Sequence, residues 1–398
     1  MKTLLQISVT AGADATGRCA DLIGRLAMSK DWRSVIAYGR RRPVTTSETI
    51  RIGNLADTAI HGVVSRMADA HGRVGRRATQ HLIRQIEAIN PDIIHLHNIH
   101  GYYLHYPTLF RWLRECGRPV VWTLHDIWPL TGHCAFPDAA DCSRWRRGCG
   151  KCPLMRDYPK SWFVDASRAN YADKMTAFSG VPNMVLVPVS QWLSDMVGHT
   201  PLAAYPRQVI HNGIDTSVFT PSLIAPEQPM VIAVAKKWEP RKGLDHFYAL
   251  RSYLPDEWNM FAVGLSRHQL RHLPEGISAM TGCTPDMLAS LLRISSVSVV
   301  PSLSDNYPTT IIESLAAGTP VASYDVGGCS EALSADTGRL APVGDPAALA
   351  AAVIEASTLS RAACAATVAT NNYTTAFTPY LHLYTRLLTP RVQSVGLY

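Results

Sequence analysis

The chain has 398 residues, 47% of them hydrophobic and 17% charged, which is enough apolar material for two compact domains and too much for extensive disorder. Its net charge of +7 is carried by the first half: residues 1–205 hold 25 Lys and Arg against 16 Asp and Glu, while residues 206–398 hold 13 against 15. No apolar run approaches the ~18 residues of a membrane span. The opening MKTLLQISVTAGAD is a short apolar stretch ending in a Gly/Asp loop, so it reads as a first strand rather than a cleaved leader, and a cytoplasmic location is expected.

Short β-branched runs alternate with helical patterns along the chain, the mark of parallel α/β layering. In the first half the strands are LLQISV, SVIAYG, DIIHLH, PVVWTLH and MVLVPVS; a helix with apolar Leu82, Ile83, Ile86 and Ile89 stops before Pro91. His97 and His100 follow the third of these strands. His125 follows the fourth and should emerge at the carboxyl edge of the sheet, where ligands of open α/β folds bind. Three basic clusters, Arg40–Arg42, Arg73 with Arg76 and Arg77, and Arg144 with Arg146 and Arg147, suggest that this half faces an anionic partner such as membrane headgroups or a lipid-pyrophosphate acceptor.

After His125 comes a Pro- and Gly-rich insertion with Cys134, Cys142, Cys149 and Cys152. The last pair, C-G-K-C, has zinc-knuckle spacing, which makes a structural Zn²⁺ the expectation, with packed free thiols as the alternative; disulfides are not expected in a reducing compartment. The other five cysteines are scattered and read as small core residues.

The join between halves lies near residues 189–215, where Pro and Gly become frequent. Strands PMVIAVA, NMFAVGL, SVSVVPS and PVASYD follow, with helices near 244–252, 284–293, 309–317 and 346–356, so a second doubly wound unit follows the first. In AVAKKWEPRKGLD, Lys236, Lys237, Arg241 and Lys242 arrive between a strand end and a helix start, a direct way to hold a pyrophosphate and stabilise it as a leaving group. In SDNYPTTIIESLAAGTPVASYDVGGCSE, Pro308 suits the first turn of a helix, so the N–H groups of Thr309, Thr310 and Ile311 would face an anion. Glu313, one turn on, could accept hydrogen bonds from a pair of ribose hydroxyls. The tail FTPYLHLYTRLL has helical spacing in Leu381, Tyr384, Leu387 and Leu388.

The segment 304–331 resembles the E-x7-E signature of retaining family 4 glycosyltransferases, with Asp305 in place of the first Glu. Lys236 and Lys242 have the spacing of that family's phosphate-binding Arg and Lys, with Lys for Arg. HNGID at 211–215 resembles its entry to the second domain, and the TLHD around His125 resembles the position of its His beside the anomeric carbon. The insertion, HDIWPLTGHC followed by CSRWRRGCGKCP, resembles a subset linked to capsule and exopolysaccharide (colanic-acid-like) assembly.

The resemblance implies the α/β GT-B fold: two Rossmann-like doubly wound domains facing each other across a cleft, with a C-terminal helix crossing back to the first. The expected division is an acceptor domain at 1–205 with its insertion at 126–160, a donor domain at 206–375, and a crossover helix and tail at 376–398. It further implies a retaining transfer from a UDP- or GDP-sugar to a saccharide or lipid-linked acceptor, without nucleic acid and with peripheral contact to an anionic membrane.

His125, Lys242 and Asp305 would be catalytic. Glu313 would hold the ribose, Lys236 and Lys242 the pyrophosphate, and Asp305 with the Tyr307, Pro308 and Thr309 backbone the sugar. Gly17, in ADATGR, would let backbone N–H groups approach the donor phosphate, and His97 and His100 would serve the acceptor. No D-x-D triplet occurs, so no catalytic cofactor is expected and activity should survive EDTA. The rival functions are a GT-B nucleotide-sugar epimerase and a nucleic-acid module built on SRWRRGCGKC.

Overall fold

A computed structural model describes residues 1–389, which form two six-stranded, wholly parallel sheets. The first contains β1 (Thr3–Ser8), β2 (Arg33–Tyr38), β3 (Glu48–Arg51), β4 (Ile93–Leu96), β5 (Val120–Leu124) and β6 (Met184–Pro188), in the order β3-β2-β1-β4-β5-β6. The second contains β7 (Met230–Val234), β8 (Asn259–Val263), β9 (Ile277–Met280), β10 (Val297–Val300), β11 (Val321–Tyr324) and β12 (Gly338–Ala341), in the order β12-β11-β10-β7-β8-β9. Both orders reverse beside the sheet's own first strand, at β1/β4 and at β7/β10. Doubly wound sheets bind ligands at the carboxyl ends flanking such a reversal, because neighbouring connections there leave on opposite faces and open a crevice.

The nine strands expected from sequence are present, and each is buried almost throughout because helices cover both faces of its sheet. The three that sequence did not reveal, β3, β9 and β12, are all four-residue edge strands, partly exposed and without a β-branched apolar run (ETIR, ISAM, GRLA). An edge strand needs no continuous apolar run, so it leaves little periodic signal.

The terminal helix Thr378–Leu388 crosses back onto the first sheet. Tyr380, Leu383 and Tyr384 are buried beside Leu4, Ile23 and Val121. Two phenols fix its register: Tyr384 hydroxyl bonds His95 Nδ1 at 2.6 Å, and Tyr380 hydroxyl bonds Thr123 Oγ1 at 2.8 Å, while Thr123 also meets His95 Nε2 at 2.7 Å. Buried polar groups are tolerable only when paired in this way. The rest of the expected tail, residues 390–398, lies outside the described residues.

Burial also sets an acid limit on stability. Desolvation holds His61 and His125 down to about 4 and His95 to about 3, and pushes His71 and His97 well below the usual imidazole value, with neighbouring histidines adding to the shift for most of them. All five folded values lie below the unfolded ~6.5, so the unfolded chain takes up protons first. The stabilising effect is complete above about pH 6.5 and is lost as pH falls toward 4, each imidazole steepening the slope by up to about 1.4 kcal/mol per pH unit. Burial raises Asp21, Asp138 and Glu313, which act with the opposite sign but are fewer. Urea midpoints should therefore drop steeply between pH 6.5 and 4.5; a flat profile over that window would show that these rings are not held neutral.

Candidate active site

Both basic and acidic motifs of the second half sit on the β7/β10 reversal. The segment leaving β7 carries Lys236 to Lys242, and the loop leaving β10 carries Asp305 into the helix Thr309–Ala316. Glycine lets these loops close on each other. Gly243 has φ +69° and its Cβ would fall 1.9 Å from the Pro301 carbonyl; Gly327, with φ +57°, would place one 1.7 Å from the Asp305 carbonyl; at Gly328 it would lie 2.1 Å from the Asn306 carbonyl. The Gly-Gly turn after β11 is thus the floor on which the acidic loop rests.

On that floor Asp305 forms an ion pair with Lys242 and accepts from Ser302 Oγ at 3.3 Å and from its neighbour's N–H, Asn306, at 3.1 Å. Burial works to raise the Asp305 carboxyl, but Lys242 and Arg241 together hold it below the ordinary carboxylate range. It is therefore anionic at neutral pH. Arg241 donates to the Ser304 carbonyl at 3.1 Å and lies over the Phe136 ring at 3.7 Å. Pro308 is the residue before the helix rather than within its first turn, and its carbonyl takes the Ile311 N–H at 3.2 Å. That corrects the expected trio of anion-facing N–H groups to Thr309 and Thr310.

Glu313 is buried, and burial raises its carboxyl even though Arg18 opposes the shift. Arg18, from the helix Ala15–Met28 of the first half, donates Nη2 to Glu313 Oε1 at 3.0 Å across the cleft. Lys236 also crosses, donating Nζ to the Ala13 carbonyl at 2.7 Å. Gly17 is corrected: it is not in a loop but in the first turn of that helix, and the Asp14 cap already takes its N–H at 3.1 Å. Its smallness serves packing instead, since a Cβ there would lie 2.3 Å from Thr10 Oγ1.

From the first half, the β4 and β5 ends bring His97 and His125 together. Gln6 donates its amide to the Ala20 carbonyl, so its Oε1 accepts from His97 Nε2–H at 3.0 Å. Neutral His97 then has only its Nδ1 lone pair for His125 Nε2, 3.0 Å away. His125 must donate there, which leaves its Nδ1 as a hydrogen-bond acceptor.

His97 is fully buried beside His125, which corrects the expected direct contact with an acceptor. His100 is also buried, bonding Asp126 Oδ2 at 2.8 Å and Tyr158 hydroxyl at 3.0 Å. The Tyr307 ring stacks on His211 with centroids 4.6 Å apart and planes 9° apart. Its carbonyl takes Asn212 Nδ2 at 3.0 Å, so the HNGID segment braces the loop that carries Asp305.

Several contact residues carried no separate signal in sequence. Asn306 donates its amide to the His125 carbonyl, and Asp138 of the insertion accepts from Ser304 Oγ at 2.6 Å; both link the two halves at the loop that holds Asp305. Glu331, the end of the sequence motif, accepts the N–H groups of Gln191 and Trp192 at 2.7 and 2.8 Å and pairs with His211 at 3.0 Å. It thereby caps the helix Gln191–Gly198 of the first half.

All four cysteines of the insertion, with His133 and Trp145, line one cavity of about 10 Å³, close to the size of a single ion or water. The Gly132 N–H points at Cys149 Sγ at 3.1 Å. Among the described residues no three His, Cys, Asp or Glu are set closely enough to hold an ion as they stand. A soft four-thiol donor set suits Zn²⁺ in type and number, and closing on it would need side-chain rotation.

Residues 18–218 match the family model described as Glycosyltransferase Family 4, and residues 228–358 match that described as Glycosyl transferases group 1. The Escherichia coli (strain K12) protein named as the colanic acid biosynthesis glycosyl transferase WcaC is 26% identical over 363 residues, covering 84% of this chain and 86% of that one. The Campylobacter jejuni N,N'-diacetylbacillosaminyl-diphospho-undecaprenol alpha-1,3-N-acetylgalactosaminyltransferase is 29% identical over 123 residues, 29% of this chain and 32% of its own. The solved structure of Anabaena Alr3699/HepE in complex with UDP-glucose shares the fold, with a TM-score of 0.66 at 14% identity over 97% of this chain and 100% of that one.

Proposed function

This chain belongs to glycosyltransferase family 4, and from that premise we propose that it moves a sugar, with retention at the anomeric carbon, from a nucleoside diphosphate sugar to a saccharide acceptor of exopolysaccharide or capsule assembly. One observation carries the reading: Asp305 with Lys242 at the second sheet's reversal point, and Glu313 one turn into the helix that follows, lie against the first half, where Asn306, next to Asp305, meets the His125 carbonyl and Arg18 meets Glu313. In the reaction, the bond from the anomeric carbon to the β-phosphate oxygen breaks while the acceptor oxygen bonds the same face of that carbon. The acceptor's proton passes to the leaving phosphate.

Lys242 and the N–H groups of Thr309 and Thr310 stabilise the charge that develops on that phosphate. Lys236 serves the same diphosphate after leaving the Ala13 carbonyl. The Glu313 carboxylate accepts from the ribose hydroxyls while keeping its bond from Arg18. Asp305 and the His125 Nδ1 acceptor hold sugar hydroxyls, and His97 keeps that imidazole in its working tautomer. No step calls for a metal, so transfer should continue in EDTA.

UDP is the favoured nucleotide because HepE, of the same fold, is known with UDP-glucose. A lipid-linked acceptor is favoured because the name of the Campylobacter relative specifies a diphospho-undecaprenol substrate. The test is thermal stabilisation by UDP, GDP, ADP and their sugars. UDP-sugars should raise the melting temperature of the wild type and leave Glu313→Ala unmoved; equal indifference of both proteins to all nucleotides would remove the donor site. The insertion we assign a structural Zn²⁺ held by Cys134, Cys142, Cys149 and Cys152. Metal analysis of untagged protein should return one Zn per chain, and a value near zero would leave four packed thiols.

A further inference from the structure

The helix Leu55–Ala68 is built inside out. Its inward residues are polar or small: His61 (1% exposed), Gly62 and Ser65. Leu55 (77% exposed), Ile60, Val63 and Met67 point to solvent, with Ala56 and Ala59 exposed among them. At 100° per residue these six fall within an arc of about 140° that only Arg66, near one edge, shares with them, an apolar stripe on the wrong side for a core helix. The fold does not need this stripe, because an Asn54–Asp57 capping box starts the helix and His61 anchors it by accepting the Gly72 N–H at 3.0 Å.

A second apolar element lies against it. The Trp162 N–H donates to the Arg66 carbonyl near the helix end at 2.6 Å, bringing Trp162, Phe163 (78% exposed) and Val164 alongside. The border is basic. Arg66 and Arg40 approach the same Tyr102 ring at 5.4 and 6.0 Å, so the exposed run Arg40–Arg42 adjoins the helix, and exposed Lys160 enters the aromatic loop.

We propose that this face docks the protein onto an anionic lipid bilayer, the helix lying in the interface with Trp162 and Phe163 at headgroup depth and the arginines against phosphate. A second copy of the chain is a poor occupant: a two-fold contact would set these arginine clusters against each other. The proposal deepens the lipid-linked-acceptor reading, since Tyr102 also packs on Tyr158, the partner of His100, and a bilayer there would deliver such an acceptor beside the cleft.

The test is sedimentation of the full chain with vesicles of phosphatidylglycerol and phosphatidylethanolamine, or of phosphatidylcholine alone, without donor or acceptor. The wild type should be retained by the anionic vesicles at low salt and released by high salt. The double variant Val63→Glu with Phe163→Glu should lose at least about tenfold in partitioning at an unchanged melting temperature, and Arg40→Gln with Arg41→Gln should weaken the salt dependence. Equal retention of wild type and the double variant, no retention of wild type, or a solution dimer that the double variant dissociates would each overturn docking. Transfer to a detergent-solubilised lipid-linked acceptor is scored separately: its absence with vesicle binding intact removes the acceptor reading alone, and its persistence without vesicle binding removes docking alone.

Discussion

Lys242→Ala is expected to lower kcat by about two to three orders of magnitude, the usual cost of removing one preorganised charge from a developing anion. Lys242 is half-buried and paired with buried Asp305, so its field is screened less than that of a surface lysine. Its removal also takes away one of the two cations that keep Asp305 ionised, while Arg241 remains at the Ser304 carbonyl. The loss should appear mainly in kcat, because the interaction strengthens as the phosphate departs. Lys242→Arg should recover part of the rate, since charge is kept while the geometry changes. Steady-state kinetics at saturating donor decide it: unchanged turnover in Lys242→Ala would take this lysine out of the chemistry.

Gly327→Ala is expected to cost about a hundredfold in activity without touching a side chain that meets the donor. The new Cβ would sit 1.7 Å from the Asp305 carbonyl, which is backbone and cannot rotate aside, so the loop carrying Asp305 must shift. A displacement near 1 Å at a reacting geometry carries about that penalty. The left-handed backbone at φ +57° adds about 1–2 kcal/mol of strain for any residue with a Cβ. Gly344→Ala is the control: its φ is +84°, but nothing lies within 4 Å of the added carbon. It should lose stability by a similar strain and keep its activity. Comparing kcat and urea midpoints for the two variants separates strain from displacement, and equal activities would mean that the Gly-Gly turn does not position Asp305.

The motif residues were legible because their chemistry is local. Lys236 and Lys242 share one short connection, and Asp305 and Glu313 are separated by one loop and one helical turn, so spacing in sequence translates into spacing in space. Gly17 and His97 show where that translation fails. Gly17 looked like a phosphate loop because a glycine follows the first strand, yet the Asp14 cap begins the helix earlier and takes its N–H. His97 looked available because it follows a strand end, yet its neighbour His125 covers it and Gln6 holds it from below.

The strand and helix alternation of both halves, the buried strands, the terminal helix and the charged groups of the candidate site could all be read along the chain, because each depends on periodicity or on residues close in sequence. Tertiary structure alone decided the partners across the cleft: Arg18 on Glu313, Asn306 on the His125 carbonyl, Asp138 on Ser304, and Glu331 on the helix at Gln191. It also decided that the helix Leu55–Ala68 turns its apolar side outward. The four bonds join segments more than a hundred residues apart and depend on how the two sheets dock, whereas the helix face depends on which neighbours within the first half pack beside it. In both cases the partner is chosen in space, and no local pattern in the chain encodes which polar or apolar face it will cover.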